Sequence, residues 1–266
     1  MSIHQPVLDL SPGATLPSPP LPAAGERWAL FLDVDGTLLE FADDPRSVTA
    51  KSPLIALLQE LHAVLDGALA LVSGRTLAEL DRVFGNPPWT LVGLHGLDLR
   101  HADGIRRQFP VAAADQQGMR AAVQELARAF PGVHREAKGV ATALHCRRAP
   151  ELFPRLLVAA RDVARGLPGY ELQPGNLVVE FKPSGTDKGR AVGELLHKAP
   201  FAGRRPVYLG DDLTDERAFA LVNGADGISI RVGWREPSAA RCTLPGPQAV
   251  QEWLRGVLAA GGASRA

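Results

Sequence analysis

Three short apolar segments of this chain each stop abruptly at a cluster of polar residues, and this pattern constrains the fold more than any other feature. The segments are residues 28–32, 68–72 and 206–210, and a helix-forming stretch follows each of them. Short apolar runs of this kind are typical of buried strands. Strands that alternate with helices favour a parallel sheet covered by helices. The sequence therefore predicts an α/β fold.

The helix after the second apolar segment carries the clearest start signal. Thr76 and Glu79 have the spacing of a capping box, in which each side chain bonds to the backbone N–H of the other residue. We therefore expect a helix directly after Thr76, with residues 73–75 in the turn that precedes it.

The middle of the chain has a different rhythm. Residues 108–183 predict the element order α-β-β-α-β-β, with turns between paired strands. We interpret this stretch as an inserted α+β domain that splits a core domain into residues 26–107 and 184–260, with hinges near residues 107 and 184. Residues 1–25 contain six prolines and almost no charge, which predicts a flexible lead-in.

Composition argues against several other classes of protein. The chain has 29 basic and 29 acidic residues and no run of like charges, whereas nucleic-acid-binding surfaces need a basic excess. No stretch approaches the roughly 18 apolar residues of a membrane span, and the N-terminus does not resemble a signal peptide. Cys146 and Cys242 have neither zinc-site nor disulfide spacing. We expect a cytoplasmic monomer that binds neither nucleic acid nor membranes.

The polar clusters carry the candidate chemistry. They contain the carboxylates Asp33, Asp35, Asp211, Asp212 and Asp215. Because strand ends in an open α/β sheet meet at one edge, where ligands bind, we expect these carboxylates to converge. Several carboxylates in one site do not stay ionised together without compensation. A hard divalent cation supplies it, and oxygen ligands beside a phosphate favour Mg²⁺.

Two cations and a glycine accompany these carboxylates. Arg75 and Lys188 are suited to stabilising the charge that spreads over a transferring phosphoryl group. Gly36 permits a tight turn that brings backbone amides close to phosphate oxygens. Together with Mg²⁺, these groups predict a site that handles phosphate.

The two aspartates of the first cluster divide the labour of such a reaction. One must be an ionised nucleophile that forms an aspartyl-phosphate, and the other must give a proton to the departing alcohol and then activate water. We assign Asp33 as the nucleophile, because metal ligation favours its ionised form, and Asp35 as the acid and base.

Each residue taken alone has a plainer interpretation. An Asp-x-Asp-Gly sequence is often a turn or a structural calcium loop. Arg75 alone would be a surface or capping arginine, Lys188 a solvated lysine, and Asp215 a complement to a helix N-terminus. The ordered set, with each part at a strand end or a helix start, favours phosphoryl transfer.

The same residues resemble a known family. Residues 31–38, residues 72–75, Lys188 and residues 210–216 resemble the four motifs of the haloacid-dehalogenase superfamily, and more narrowly those of its trehalose-6-phosphate phosphatases. The likeness extends over about residues 26–255. It implies a Rossmann-like core, a mobile αββαββ cap, and Mg²⁺-dependent hydrolysis of trehalose 6-phosphate to trehalose and phosphate, the last step of trehalose biosynthesis.

The resemblance also implies a role for individual residues. Mg²⁺ would be held by the Asp33 carboxylate, the Asp35 carbonyl and Asp211, with Asp212 and Asp215 supporting them. The phosphate would be held by Gly36, Thr37, Ser73, Gly74, Arg75 and Lys188, with Lys188 also acting in catalysis. The sugar would be bound by Glu136, Lys138 and Glu180.

Two alternatives stay open at this point. The cap could select another sugar phosphate, such as sucrose phosphate or a mannosyl phosphate, or the chain could be a phosphomutase. A non-catalytic module that binds sugar phosphates is a further alternative. His95 and His145 fit the same motifs, and either residue could order a loop or contact the substrate.

Overall fold

The computed structural model describes residues 16–42, 47–175, 177–234 and 237–263. The strands are β1 (Trp28–Leu32), β2 (Leu69–Val72), β3 (Thr90–Gly93), β4 (Asp98–Arg100), β5 (Arg106–Gln108), β6 (His134–Lys138), β7 (Ala141–His145), β8 (Tyr170–Gly175), β9 (Val178–Pro183), β10 (Arg205–Gly210), β11 (Ile228–Val232) and β12 (Cys242–Leu244). The helices are α1 (Ser52–Val64), α2 (Leu77–Phe84), α3 (Ala113–Ala129), α4 (Phe153–Arg165), α5 (Lys188–Leu196), α6 (Glu216–Gly224) and α7 (Pro247–Ala263).

The larger sheet has the order β12-β11-β10-β1-β2-β3-β4-β5 and is parallel from β12 to β3. All residues of β1 are buried, as expected for a strand covered by helices on both faces. The predicted α/β class, with a parallel-sheet core, is confirmed. The sequence did not predict β4 and β5, which extend the sheet with antiparallel pairs.

The second sheet is antiparallel, with the order β6-β7-β9-β8. Together with α3 and α4 it gives the element order α-β-β-α-β-β, which confirms the predicted αββαββ insertion. Its own apolar cluster includes Met119 and Leu156 from the helices and Leu144 and Phe181 from the strands. We call this unit the cap; its exact boundaries, at 108 and 183, stay a prediction.

The start of the described chain differs from the flexible lead-in that the sequence predicted. Residues 1–15 of that segment lie outside the described residues. Further along, the Pro17 carbonyl accepts a hydrogen bond from the Thr243 amide at 3.0 Å. The Pro20 carbonyl accepts one from Trp253 Nε1 at 3.2 Å. These two hydrogen bonds attach residues 16–20 to the core. Proline can make them because it lacks only the N–H donor and keeps its carbonyl acceptor.

Capping begins α2 where the sequence predicts. Thr76 accepts a hydrogen bond from the Glu79 amide, and the Glu79 side chain accepts one from the Thr76 amide. This capping box fixes the turn between β2 and α2. In the part of the chain that the structure describes, no helix is both long and apolar enough to cross a membrane.

Candidate active site

The sheet order explains how distant polar clusters come together. Strands β10, β1 and β2 are parallel neighbours, so the residues after their carboxyl ends lie side by side. These residues are Asp211, Asp33 and Ser73. The N-terminus of α5 adds Lys188 to the same edge, where it bonds to Asp33.

Asp33 lies at the centre of this edge and is only 4% exposed. Its Oδ1 accepts a hydrogen bond from Lys188 Nζ at 2.7 Å, and its Oδ2 accepts one from Thr37 Oγ1 at 3.3 Å. Burial raises the pKa of Asp33 well above its usual range, with help from the charges of Asp215 and Asp211, although Lys188 opposes the shift.

Lys188 bridges two buried carboxylates, since its Nζ also donates to Asp215 Oδ1 at 2.7 Å. Burial disfavours the charged amine, but Asp215 and Asp33 outweigh it and raise the pKa of Lys188 above its usual value. Lys188 is therefore a fixed cation beside Asp33.

Asp215 is fully buried and both of its carboxylate oxygens are occupied. In addition to Lys188, the Tyr208 hydroxyl donates to Oδ1 at 2.6 Å, and the Asp212 amide donates to Oδ2 at 3.0 Å. Asp212 in turn caps the following turn, where its side chain accepts from the Thr214 amide. Asp212 and Asp215 thus order the loop after β10 and orient Lys188. Tyr208 was not predicted from the sequence.

Carboxylate oxygens from Asp33, Asp211 and Asp215 lie within 4.8 Å of one another. Asp215 accepts short hydrogen bonds from Lys188 and Tyr208. Among the described residues, Asp33 Oδ2 and Asp211 Oδ1 have only long contacts with the Thr37 hydroxyl, at 3.3 Å and 3.4 Å, so these two oxygens are the better candidates to bind a cation. Burial and the charge of Asp215 raise the pKa of Asp211 to about 6. Raised carboxylate pKa values and an all-oxygen donor set fit a hard divalent cation such as Mg²⁺, whose charge would offset the repulsion.

Gly36 is required by close packing in this cluster. Its φ of +82° lies in the left-handed region, and a Cβ at this position would collide with the Asp211 carboxylate. Thr37, which is fully buried, lies between Asp33 and Asp211, because its hydroxyl also contacts Asp211 Oδ1 at 3.4 Å. The turn after β1 therefore holds the two aspartates at a fixed separation.

Asp35 contributes no side-chain atom to the carboxylate cluster. Arg75 instead holds it with a two-pronged ion pair, Nε to Oδ2 at 2.7 Å and Nη2 to Oδ1 at 2.5 Å. Burial disfavours the guanidinium charge, but the bond to Asp35 raises the pKa of Arg75. The sequence assigned Arg75 to the phosphate; in this structure its partner is Asp35.

The turn after β2 presents Ser73 and Gly74. The Ser73 hydroxyl accepts a hydrogen bond from the Arg75 amide at 3.1 Å, which closes a tight turn. A Cβ at Gly74 would lie 2.6 Å from the imidazole of His95, so His95 packs directly on this turn.

The cap turns one face of its sheet toward the core. Ala141 packs on Leu94 and Leu97 of the core, and in the strand register it lies opposite Lys138. Residues on this face alternate with those that pack under the cap helices, such as Leu144. Lys138 therefore lies on the core-facing side.

Glu136 and Glu180 lie on the same face, each opposite Ala143. Lys138 Nζ donates to Glu180 Oε2 at 3.2 Å and lies 3.9 Å from Glu136 Oε2. The second oxygen of Glu180, Oε1, is buried and has no hydrogen-bond partner among the described residues. The three residues predicted to bind the sugar are thus clustered, and one acceptor is available.

Two further cap residues belong to this face. His145 Nε2 lies 2.8 Å from Glu136 Oε2, so His145 positions Glu136. Gln173 lies opposite Glu180 in the strand register and was not predicted as a site residue. The period-two alternation of β8 would have placed it there once its pairing with β9 was known.

A family model and similar proteins of known sequence agree on one family for this chain. The family model for trehalose-phosphatase matches residues 31–248. The chain is 38% identical over 240 residues to a trehalose-6-phosphate phosphatase of Escherichia coli K12, covering 90% of each chain. It is 41% identical over 237 residues to a probable trehalose-phosphate phosphatase of Sinorhizobium fredii, covering 88% of each.

A solved structure agrees with the fold. The C-terminal domain of Candida albicans trehalose-6-phosphate phosphatase superimposes with a TM-score of 0.74 at 24% identity, covering 88% of this chain and 92% of that one. At this identity the likeness establishes the architecture alone.

Proposed function

The chain belongs to the trehalose-phosphatase family, which makes it a phosphoric monoester hydrolase, and we propose that it hydrolyses trehalose 6-phosphate to trehalose and inorganic phosphate. The proposal rests above all on the contacts of Asp33. Its buried carboxylate shares Lys188 with Asp215 and lies beside Asp211. Such a group, poised between a fixed cation and a carboxylate pair, suits a nucleophile in phosphoryl transfer.

In the first step Asp33 attacks the phosphorus atom. The bond from phosphorus to the C6 oxygen of the sugar breaks, and an aspartyl-phosphate forms on Asp33. Asp35 gives a proton to the departing oxygen, which leaves as the free hydroxyl of trehalose. Lys188 stabilises the charge on the phosphoryl oxygens, because its ammonium is held within bonding distance of Asp33.

In the second step Asp35 takes a proton from water. The water oxygen attacks phosphorus, the bond to Asp33 breaks, and inorganic phosphate leaves. Asp35 then carries the proton with which the cycle began, so the proton balance closes. For this role, at least one oxygen of Asp35 must leave Arg75.

Asp33 and Asp211 would hold the divalent cation, with the Asp35 carbonyl as a third ligand. When bound, Mg²⁺ supplies positive charge that offsets carboxylate repulsion and withdraws charge from the phosphate. Thr37 fixes the separation of the two aspartates by contacting both. Gly36, Ser73, Gly74 and Arg75 would complete the phosphate site from the turns after β1 and β2.

The cap supports a disaccharide substrate. Glu136, Lys138 and Glu180 present two carboxylates and an ammonium on the core-facing side, and carboxylates accept bonds from paired sugar hydroxyls. We propose that residues 108–183 close over the site about hinges near 107 and 184. Arg107 pairs with Glu194 of α5, and Lys182 Nζ donates to the Thr186 carbonyl at 2.6 Å, so contacts tie both crossings to the core.

Phosphate release from a panel of sugar phosphates tests this function. Purified protein is assayed with trehalose 6-phosphate, sucrose 6-phosphate, mannose 6-phosphate and glucose 6-phosphate, each with Mg²⁺ and with EDTA. We expect kcat/KM for trehalose 6-phosphate to exceed the others by at least about 100-fold, as for a site built to pair substrate hydroxyls, and EDTA to abolish turnover. A preference for another sugar would overturn the substrate, and full activity in EDTA would overturn the metal.

A further inference from the structure

The loop between β3 and β4 contacts both the turn after β2 and the cap. The Leu94 amide donates to the Arg75 carbonyl and the His95 amide to the Ser73 carbonyl, both at 2.9 Å. The side chain of Leu94 packs on Ala141 of the cap. This loop is therefore fixed between the turn after β2 and the cap.

The backbone of the loop is unusual. Leu94, His95 and Gly96 have φ values of +50°, +55° and +107°, and residues with a side chain rarely adopt such values. A strained conformation persists only where its surroundings over-determine it, and such residues cluster at functional sites. The packing of the Leu94 side chain in its apolar cluster accounts for the positive φ of Leu94. The position of His95 needs a separate explanation, because its side chain is not part of that apolar cluster.

The imidazole of His95 lies against the turn after β2, within reach of charged residues of the core and of the cap. On one side it packs against Gly74, where no side chain would fit. The positive charges of Lys188 in the core and of Lys138 and Lys182 in the cap all act on it. Burial, followed by these three lysines, lowers the pKa of His95 well below its usual value, which favours the neutral form of the ring.

One ring nitrogen of His95, Nδ1, is buried and lacks a hydrogen-bond partner in the described part of the chain. A histidine that only ordered the loop would be expected to bond to a protein group, since buried polar atoms are normally paired. On the core-facing side of the cap, Glu180 Oε1 is likewise buried without a hydrogen-bond partner among the described residues.

A neutral imidazole offers one donor and one acceptor, which matches a hydroxyl group, itself both donor and acceptor. Phosphate oxygens are better served by the lysines nearby. We propose that His95 binds the sugar ring that carries the phosphate, by exchanging hydrogen bonds with its hydroxyl groups. This proposal rests on the proposed function, because it assumes a sugar phosphate that spans from the turn after β2 to the cap.

Two substitutions separate binding from loop structure. His95→Gly removes the imidazole while allowing the positive φ, and His95→Asn keeps a donor and an acceptor in a residue that tolerates this conformation. His101→Gly, at a histidine in the turn after β4, is the matched control. Trehalose 6-phosphate is compared with phenyl phosphate, an ester that has no hydroxyl groups on its ring.

We expect His95→Gly to lower kcat/KM for trehalose 6-phosphate by about 10- to 100-fold, the effect of losing one or two hydrogen bonds. Phenyl phosphate hydrolysis should change by less than about 3-fold, a difference within the range of ordinary surface substitutions. His95→Asn should recover most of the loss, and His101→Gly should match the wild type on both esters. An equal loss on both esters, or no loss on either, would overturn the proposal.

A second measurement needs no destabilised variant. The imidazole nitrogens of ¹⁵N-histidine-labelled wild-type protein are observed by NMR, with the His95 signals identified from their absence in His95→Asn. Adding trehalose should shift the His95 signals, and adding inorganic phosphate alone should shift them much less. No shift with trehalose at saturation would overturn the role of His95. A wild-type enzyme that did not prefer trehalose 6-phosphate would instead overturn the proposed function.

Discussion

Arg75 occupies both carboxylate oxygens of Asp35, with contacts of 2.7 Å and 2.5 Å. The two residues follow neighbouring strands, β1 and β2, so the parallel sheet sets their separation. The proposed mechanism requires Asp35 to reach the leaving oxygen and then a water molecule. We infer that arrival of the phosphate draws the guanidinium away from at least one oxygen of Asp35, because phosphate accepts the same two-pronged bond.

Arg75→Lys should impair catalysis, because an ammonium is a point charge and does not hold a carboxylate or a phosphate with a fork. We expect kcat to fall by about 10- to 100-fold, a loss of about 1.4 to 2.7 kcal/mol in transition-state stabilisation. The measurement is steady-state kinetics with trehalose 6-phosphate.

Arg100→Lys is the matched control for this change. Arg100 also holds Asp81 with a two-pronged ion pair, through Nη1 at 2.8 Å and Nη2 at 2.7 Å, but it does so between β4 and α2 and not beside the carboxylate cluster. It should leave kcat within a factor of about two, as surface substitutions usually do. Equal kinetic effects of the two substitutions would argue against a catalytic role of the Arg75–Asp35 pair.

Asp33→Asn should abolish turnover and leave the fold intact. The amide has the shape of the carboxylate but is not a nucleophile, so we expect kcat to fall by more than about 10⁴-fold. After acid quenching with ³²P-labelled substrate, we expect the wild-type enzyme to carry an acid-stable phosphoprotein and the variant to carry none. Asp162→Asn, at an exposed aspartate of α4, is the control. Turnover above a few per cent of wild type in Asp33→Asn would remove Asp33 as the nucleophile.

The sequence predicted the features that depend on local pattern. Apolar runs that stop at Asp33 and Asp211 located the strand ends, and the spacing of Thr76 and Glu79 located the start of α2. It did not predict β4 or β5, because three-residue strands give too short a pattern, and β5 is exposed along its length. Such short pairs form through their neighbours in the sheet.

The sequence could not predict the hydrogen-bond partners of individual side chains, for a different reason. Arg75 has a plausible anion in either the phosphate or Asp35, and only the packed structure selects between them. In the sequence, Tyr208 is predicted only as one more residue of an apolar strand. In the structure its hydroxyl donates to Asp215, seven positions later. Contacts of this kind depend on where the next turn folds back, which periodicity does not specify.

Tyr208→Phe tests whether Asp215 orients Lys188. Removing the hydroxyl takes one hydrogen-bond donor away from the buried Asp215 Oδ1. This loss should lower the free energy of unfolding by about 1 to 3 kcal/mol. Because Lys188 shares that oxygen, kcat should also fall, by about 3- to 10-fold, with little change in KM.

Tyr170→Phe separates these two effects. The Tyr170 hydroxyl donates to the Val140 carbonyl in the cap at 2.8 Å, away from the carboxylate cluster. Its loss should lower stability to a similar degree, measured by urea unfolding, and leave kcat unchanged. If both variants lost kcat equally, the loss in Tyr208→Phe would reflect general destabilisation and not the position of Lys188.

The stability of the metal-free protein should depend on pH through Asp211. Burial and the Asp215 charge raise its pKa to about 6 in the folded chain, against roughly 3.9 in an unfolded one. A raised carboxyl pKa stabilises the fold fully below the unfolded value, and that contribution is lost as pH rises through about 6. In EDTA, the free energy of unfolding should therefore fall between pH 4 and pH 7 more steeply in the wild type than in Asp211→Asn.

Mg²⁺ should reverse this loss at pH 7, since a cation that binds only the folded protein stabilises it by mass action. Urea unfolding of both proteins at the two pH values, with EDTA and with Mg²⁺, gives the comparison. We expect Mg²⁺ to raise the unfolding free energy of the wild type at pH 7 and to have a much smaller effect on Asp211→Asn. Parallel pH slopes in the two proteins, together with equal responses to Mg²⁺, would show that Asp211 neither titrates as inferred nor holds the cation.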